Sequence, residues 1–419
     1  MTLVRDLEQR LALLHERTVE TPLFNPVFQL SLELSRDLES GQLGLDAVEA
    51  AVAELECSSL QARAARLRRL VEPVDRMANA ASLEALAGGD TFADFAARWQ
   101  RAQAHIVFTA HPTFLLSRAQ SAAIAAAASN GATAADAVCA APAERDTITL
   151  DYEHAEAMAA LDRAQAARDR INTALFRIAR ARWPQQWRQL RPLPFRFATW
   201  VGYDMDGRTD IGWQTSLRYR LAEKAQRLAA YAGMLEAVAP GIAARLLRSV
   251  DHARTMSGLL AQDTTDPAAL SAVSARLTAE HPDKLTSLAP VVAELEALAV
   301  SAEDREAQAL LVAVAAMRAD GLGMGWVHFR VNSSQLQNAI RRRIDPDGKL
   351  DLASQAALVR MRELLAEARP LRSNLAALAI ENSTAVRQFL AMVQILAHVD
   401  ADAPIRMLVA ECEQPTTVL

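Results

Sequence analysis

Four short runs of β-branched and aromatic residues stand far apart in a chain otherwise patterned for helix, and that spacing limits the fold more than any other feature. They cover residues 105–109, 196–201, 325–330 and 405–410. Each is too short for a helix and is built of residues that suit a pleated, buried surface. Consecutive runs are separated by about 70 to 130 residues, against roughly 30 for a simple βαβ unit, so extra helices must be inserted between strands. The first three runs end in polar clusters: Thr-Ala-His-Pro-Thr (109–113), Gly-Tyr-Asp-Met-Asp-Gly-Arg (202–208) and Arg-Val-Asn-Ser-Ser (330–334). Strands separated by helices, with reactive side chains at their C-terminal ends, describe a β/α barrel, whose sites gather at that face. Four strands make half of one, with edges that need cover.

The length of 419 residues suits two or three domains or one elaborated barrel. The expected division is a helical region over 1–103, followed over 104–419 by the first four strands of a TIM-type β/α barrel with large helical insertions. The fold class is thus predominantly α. Apolar residues recurring every three or four positions predict helices over 46–69, 155–183, 216–238, 267–280, 290–318, 354–367 and 383–398. The Ala, Ser and Thr stretch over 122–141 lacks large side chains and reads equally as a plain helix or a mobile loop. Asp-Pro-Asp-Gly (345–348) predicts a turn joining two helices.

Fifty acidic against 45 basic residues give a net charge of -5, spread along the chain. That excludes the basic footprint of a nucleic-acid partner or an anionic membrane surface. No window reaches the roughly 18 apolar residues of a membrane span, and the N-terminal segment has no apolar signal core. The three cysteines, Cys57, Cys139 and Cys412, share no short metal-ligand spacing. Neither a disulfide framework nor a zinc site is expected, and a reduced, cytoplasmic setting fits.

The clusters carry the chemistry. His111 precedes a proline, which presses it toward extended geometry at the lip of its strand. Its ordinary pKa near 6.5 suits proton transfer at neutral pH, although a histidine there also serves as a simple turn cap. Asp204 and Asp206, alternate aspartates before Gly207, can hold a divalent ion, orient an arginine or shape a turn. Arg330 ends the third run with a planar fork that binds phosphate or carboxylate in two-pronged fashion, or an acid of the protein itself. The glycines at 321, 323 and 325 precede their strand, the wrong order for a dinucleotide loop.

In this order the clusters resemble the N-terminal half of phosphoenolpyruvate carboxylase. FTAHPT (108–113) resembles that family's Thr-Ala-His-Pro-Thr catalytic motif. FRFATWVGYDMDG (195–207) is similar to its Ser-Trp-Met-Gly-Gly-Asp-Arg-Asp-Gly segment, matching at Trp200, Gly202, Asp204, Asp206 and Gly207. GWVHFRVNSS (325–334) is similar to its Leu-Asp-Ile-Arg-Gln-Glu-Ser strand, matching at Arg330 and Ser333. PIRMLVAECEQPTTVL (404–419) resembles the start of its Tyr-Val-Ile-Ser-Met strand.

The resemblance implies condensation of phosphoenolpyruvate with bicarbonate to oxaloacetate and phosphate, a carbon-carbon lyase reaction assisted by Mg2+ or Mn2+. His111 then assists at the carboxyphosphate stage and Arg330 grips the phosphate. Asp204, Asp206 and Arg208 support them. Family members are usually homotetramers when full length.

Departures from the family pattern are Phe114 for its Glu or Gln, Tyr203 for a glycine, Met205 for the arginine between the aspartates, His328 for a strand aspartate, and Val331-Asn332 for Gln-Glu. Arg208 is the nearest replacement for the lost arginine. The family's metal carboxylates, catalytic lysine, phosphate loop and C-terminal Gln-Asn-Thr-Gly match nothing here. The expectation is an N-terminal portion of such an enzyme, inactive alone. Alternatives are a non-catalytic paralogue or regulatory half barrel, and a helical scaffold in which His111, Asp204 and Arg330 lie far apart.

Overall fold

All four runs become strands, at Ala104–Phe108 (β1), Phe195–Thr199 (β2), Trp326–Asn332 (β3) and Ile405–Ala410 (β4). The computed structural model describes the chain apart from residues 1, 20, 22, 72–75, 88–90, 112–114, 131–134, 145–146, 207, 209, 346, 370–372 and 418–419. Pro112, Thr113, Phe114, Gly207 and Pro346, all singled out by sequence, therefore lie outside the described residues.

The protein is mostly helical. In chain order the helices are α1 (Leu3–Glu16), α2 (Pro26–Glu39), α3 (Leu45–Val71), α4 (Arg76–Leu86), α5 (Phe92–Trp99), α6 (Arg118–Asn130), α7 (Ala135–Cys139), α8 (Leu150–Arg182), α9 (Trp213–Leu235), α10 (Pro240–Leu260), α11 (Pro267–Thr278), α12 (Ala289–Ser301), α13 (Asp304–Asp320), α14 (Ser333–Ile344), α15 (Gln355–Glu367), α16 (Leu375–Ile380) and α17 (Thr384–His398). The single helix expected over 290–318 is two, because the chain turns extended at Ala302 and Glu303. The Asp-Pro-Asp-Gly turn joins α14 to α15, with Gly348 at φ 67°. None of the described helices is long and apolar enough to cross a membrane.

The chain forms two compact units, one of residues 1–79 and 112–146, the other of 80–111 and 147–419. In the first, the alanine-rich stretch is helical in α6 and α7. Its few larger residues are enough: Ile124 and Val138 meet Leu60 and Ala64 of α3, and alanines let the helices approach closely. Contrary to expectation, Cys57 and Cys139 form a disulfide. A separation of 82 residues hid the pair, which packing of α3 against α7 brings to a Cα distance of 4.8 Å. Cys412, in the second unit, is an exposed thiol.

The second unit holds a parallel sheet in the order β1-β2-β3-β4. Ala104 to Phe108 pair with Phe195 to Thr199, and Val327 to Asn332 pair with Ile405 to Ala410. The middle ladder is interrupted: after Thr199↔Val327 the next bridge is Asp204↔Arg330, so five residues of one chain span three of its neighbour. The surplus loops out as Trp200 to Tyr203. Gly202 allows it, with φ 88° and no room for a Cβ against the Tyr219 ring.

Alternation along the strands separates two faces. Phe197 packs with Met158 and Leu161 of α8, while Val331 and Val409 pack with Ala385 of α17. The opposite face carries His105, Arg196, Trp326, His328, Arg330 and Arg406. Behind the sheet, α9, α10 and α13 build the main core around Leu217, Leu228, Leu246 and Leu310. Burial of charge there is matched by pairing: Arg168 and Arg227 both hold Asp320, at 2.6 and 2.8 Å.

Candidate functional site

The residues after β1, the loop after β2 and the end of β3 deliver side chains to one place, and Trp200 lies at its centre; His111 is helical there and not extended as its place before proline predicts. The ring of His111 meets the Trp200 indole edge-on, with centroids 6.4 Å apart. From the other strand the Arg330 guanidinium lies 4.9 Å from the centre of the same indole, a cation–π contact. Arg330 Nη1 donates to Asp204 Oδ2 at 2.7 Å, and Nη2 lies 3.8 Å from Asp206 Oδ2. His111, Asp204, Asp206 and Arg330 are thus brought together and do not lie far apart.

The loop that carries the aspartates is fixed mostly through its backbone. Asp204 Oδ1 accepts from the Asp206 N–H at 3.1 Å, an Asx turn that sets the two carboxylates side by side. Arg330 N donates to Tyr203 O at 3.2 Å, and Met205 N donates to Arg330 O at 3.1 Å. Gln388 of α17, fully buried, donates from one amide to both carbonyls, at 2.9 Å to Tyr203 and 3.1 Å to Arg330. Tyr203 in turn donates its hydroxyl to Glu223 at 2.8 Å. Burial alone would raise the pKa of Glu223, but His154, Arg220 and Tyr203 outweigh it and hold the carboxylate low. Burial is also the main influence on Asp204, where it wins over the Asp206 N–H and Arg330 and raises the pKa.

Arg208 does not join the group. Its guanidinium is divided between Glu153, at 2.8 Å, and Asp210, at 2.6 Å, so the charge missing at Met205 is not replaced from there. Met205 itself is buried, as is Tyr203. At the far rim Asn332 caps α14 and donates to Glu411 at 2.8 Å, while Ser333 donates to the Glu411 carbonyl at 2.7 Å. Glu411 is the one described non-glycine residue with positive φ, at 54°.

Trp200 stood in a quoted motif but was given no role by sequence, and Gln388, Glu223 and Glu411 were missed. Gln388 is one of two glutamines, with Gln394, in the buried and mostly apolar face of α17, a signal too common to single out. Chemically the site offers one part-exposed guanidinium, ion-paired to Asp204, with a flat indole and an imidazole, groups that suit a small phosphorylated or carboxylated ligand. Among the described residues no group of three or more His, Cys, Asp or Glu side chains is placed to hold a metal ion. The two site aspartates face Arg330 instead.

No protein-family model matches the chain, and no curated protein matches it.

Proposed function

We propose that this chain supplies the phosphoenolpyruvate-binding half of a β/α barrel of the phosphoenolpyruvate carboxylase type. The single observation that carries the reading is the meeting of His111 and Arg330 on Trp200 at the C-terminal ends of consecutive parallel strands. Strands that neighbour one another in chain order are what a barrel grows from, and that end is where barrel enzymes place their chemistry.

In this reading Arg330 binds the phosphate of phosphoenolpyruvate and Trp200 keeps the guanidinium in plane. Bicarbonate attacks the phosphorus, the bond to the enol oxygen breaks, and carboxyphosphate and the enolate of pyruvate result. Carboxyphosphate then splits at its carbon–oxygen bond into carbon dioxide and phosphate, with His111 taking the carboxyl proton and passing it to the phosphate, and the enolate captures the carbon dioxide as oxaloacetate. The described side chains do not fit a divalent cation, and no step is routed through one. The reading places the chain in the cytoplasm; the Cys57–Cys139 bridge stands against that, since reducing compartments keep such thiols open.

A second reading, binding without turnover, is favoured by buried Met205 and by the diversion of Arg208 to Glu153 and Asp210. Calorimetry with phosphoenolpyruvate, followed by oxaloacetate assay with magnesium and bicarbonate, separates the two. Binding without product supports the 419-residue chain as a binding half, and product supports the enzyme. Absence of binding at millimolar substrate sinks both.

A further inference from the structure

A cavity of about 520 Å³ opens at the other end of the sheet, where β2 and β3 begin. Its volume falls within the roughly 300–1,000 Å³ typical of small-molecule sites. Leu193, Leu288, Val292 and Met317 give it apolar walls, and Trp326 gives it an aromatic one. The charged groups on its lining differ in how they are engaged. Glu296 is held by Arg191 and Arg318, each at 2.9 Å, and Asp402 accepts from Ser287. Arg196 has no acid within ion-pair distance among the described residues.

Arg196 lies instead 5.2 Å from the centre of the Trp326 ring, and Arg406 lies 4.3 Å from the same ring. Two guanidinium groups gathered on one indole repel each other unless an anion sits with them. Beside them His105 and His328 stack with centroids 5.5 Å apart. His328 is 5% exposed, and its Nε2 has no hydrogen-bond partner among the described residues. Burial, then the neighbouring cations, lower the pKa of His105, and burial, His105 and Arg406 lower that of His328. At the Trp326 ring, then, two guanidinium groups stand with no acid in ion-pair contact among the described residues, while Glu296 is engaged by Arg191 and Arg318 and Asp402 by Ser287.

We propose that this cavity is a second ligand site, taking a small monocarboxylate with a flat apolar body. The carboxylate pairs with Arg196 and the body lies against Trp326 and the aliphatic walls. A single uncommitted guanidinium on an apolar lining matches one negative charge better than a phosphate dianion. The site is separate from that at Trp200, and the inference does not rest on the carboxylase reading.

Benzoate, its neutral isostere benzamide and inorganic phosphate serve as probes, with binding read by calorimetry and ligand-observed NMR on the whole chain. Benzoate is expected to bind, with benzamide and phosphate at least tenfold weaker. Arg196→Gln should weaken benzoate at least tenfold, while Arg330→Gln leaves it unchanged. Ala293→Trp, at an exposed position lining the cavity, should block benzoate and retain the native circular dichroism, which covers the case in which Arg196→Gln fails to fold. No binding of benzoate, equal binding of benzamide, indifference to Arg196→Gln or Ala293→Trp, or loss in Arg330→Gln overturns the proposal.

Discussion

Arg330 and Asp204 are joined twice, by an isolated parallel backbone bridge and by a 2.7 Å ion pair between their side chains. The bridge sets the register in which the loop after β2 returns to β3, and the ion pair aims the guanidinium. One charge pair thereby links the local fold to the candidate site.

If Arg330 anchors the phosphate, Arg330→Gln removes charge-assisted hydrogen bonds to it. At about 1.5–3 kcal/mol for such bonds, phosphoenolpyruvate affinity should fall roughly 10- to 100-fold. Calorimetric titration of wild type and variant checks this, and an unchanged dissociation constant would remove Arg330 from the site.

Gln388→Leu takes one donor from each of two buried carbonyls while leaving the methylene packing. The expected cost is about 1–3 kcal/mol, measured by denaturant unfolding. Because those carbonyls belong to Tyr203 and Arg330, phosphoenolpyruvate binding should weaken in the same variant, whereas a purely structural amide would lower stability alone.

Gly202→Ala meets both a positive φ of 88° and the ring of Tyr219. Together these should cost at least about 2 kcal/mol. A melting temperature equal to that of wild type would show that the loop after β2 is not held as described.

The pH dependence follows from His328, which burial, with His105 and Arg406, lowers from 6.5 to about 4. Between those values the unfolded chain binds a proton that the folded chain does not, so stability falls as pH drops from about 6.5 toward 4. His328→Gln removes that proton and should reduce the fall in melting temperature over this window, with the remainder left to His105, His252 and His398, which burial also lowers. The carboxylates of Glu223 and Asp320, both held low in the fold, give a further loss only as pH falls below the ordinary carboxylate range.

Reduction of Cys57–Cys139 should destabilise the unit containing α3 and α7 by roughly 2–4 kcal/mol. Thiol titration of the unfolded chain is expected to find one thiol, Cys412, before reduction and three after it. Three thiols in the untreated protein would refute the bridge.

Strand positions were legible because β-branched clusters in an alanine-rich chain have no other use, and all four were located to within two residues at either end. Most helices were legible from their apolar spacing. The break at Ala302 was not, nor were the helices α2, α4, α5, α10 and α16. His111, Asp204, Asp206 and Arg330 were legible as candidates, each with a structural alternative, and their places at successive strand ends pointed to one face. The indole of Trp200 that His111 and Arg330 share was not legible.

The local pattern of apolar and β-branched residues determined the elements, because periodicity and propensity act over a few residues. Tertiary structure alone decided three things that depend on contacts between distant segments. It placed Trp200 between His111 and Arg330, and it turned Arg208 to Glu153 and Asp210 instead of to the site. It also closed Cys57 onto Cys139 across 82 residues. Each is settled by which partner is near enough to offset desolvation or chain entropy, and distance in space is not written in local sequence.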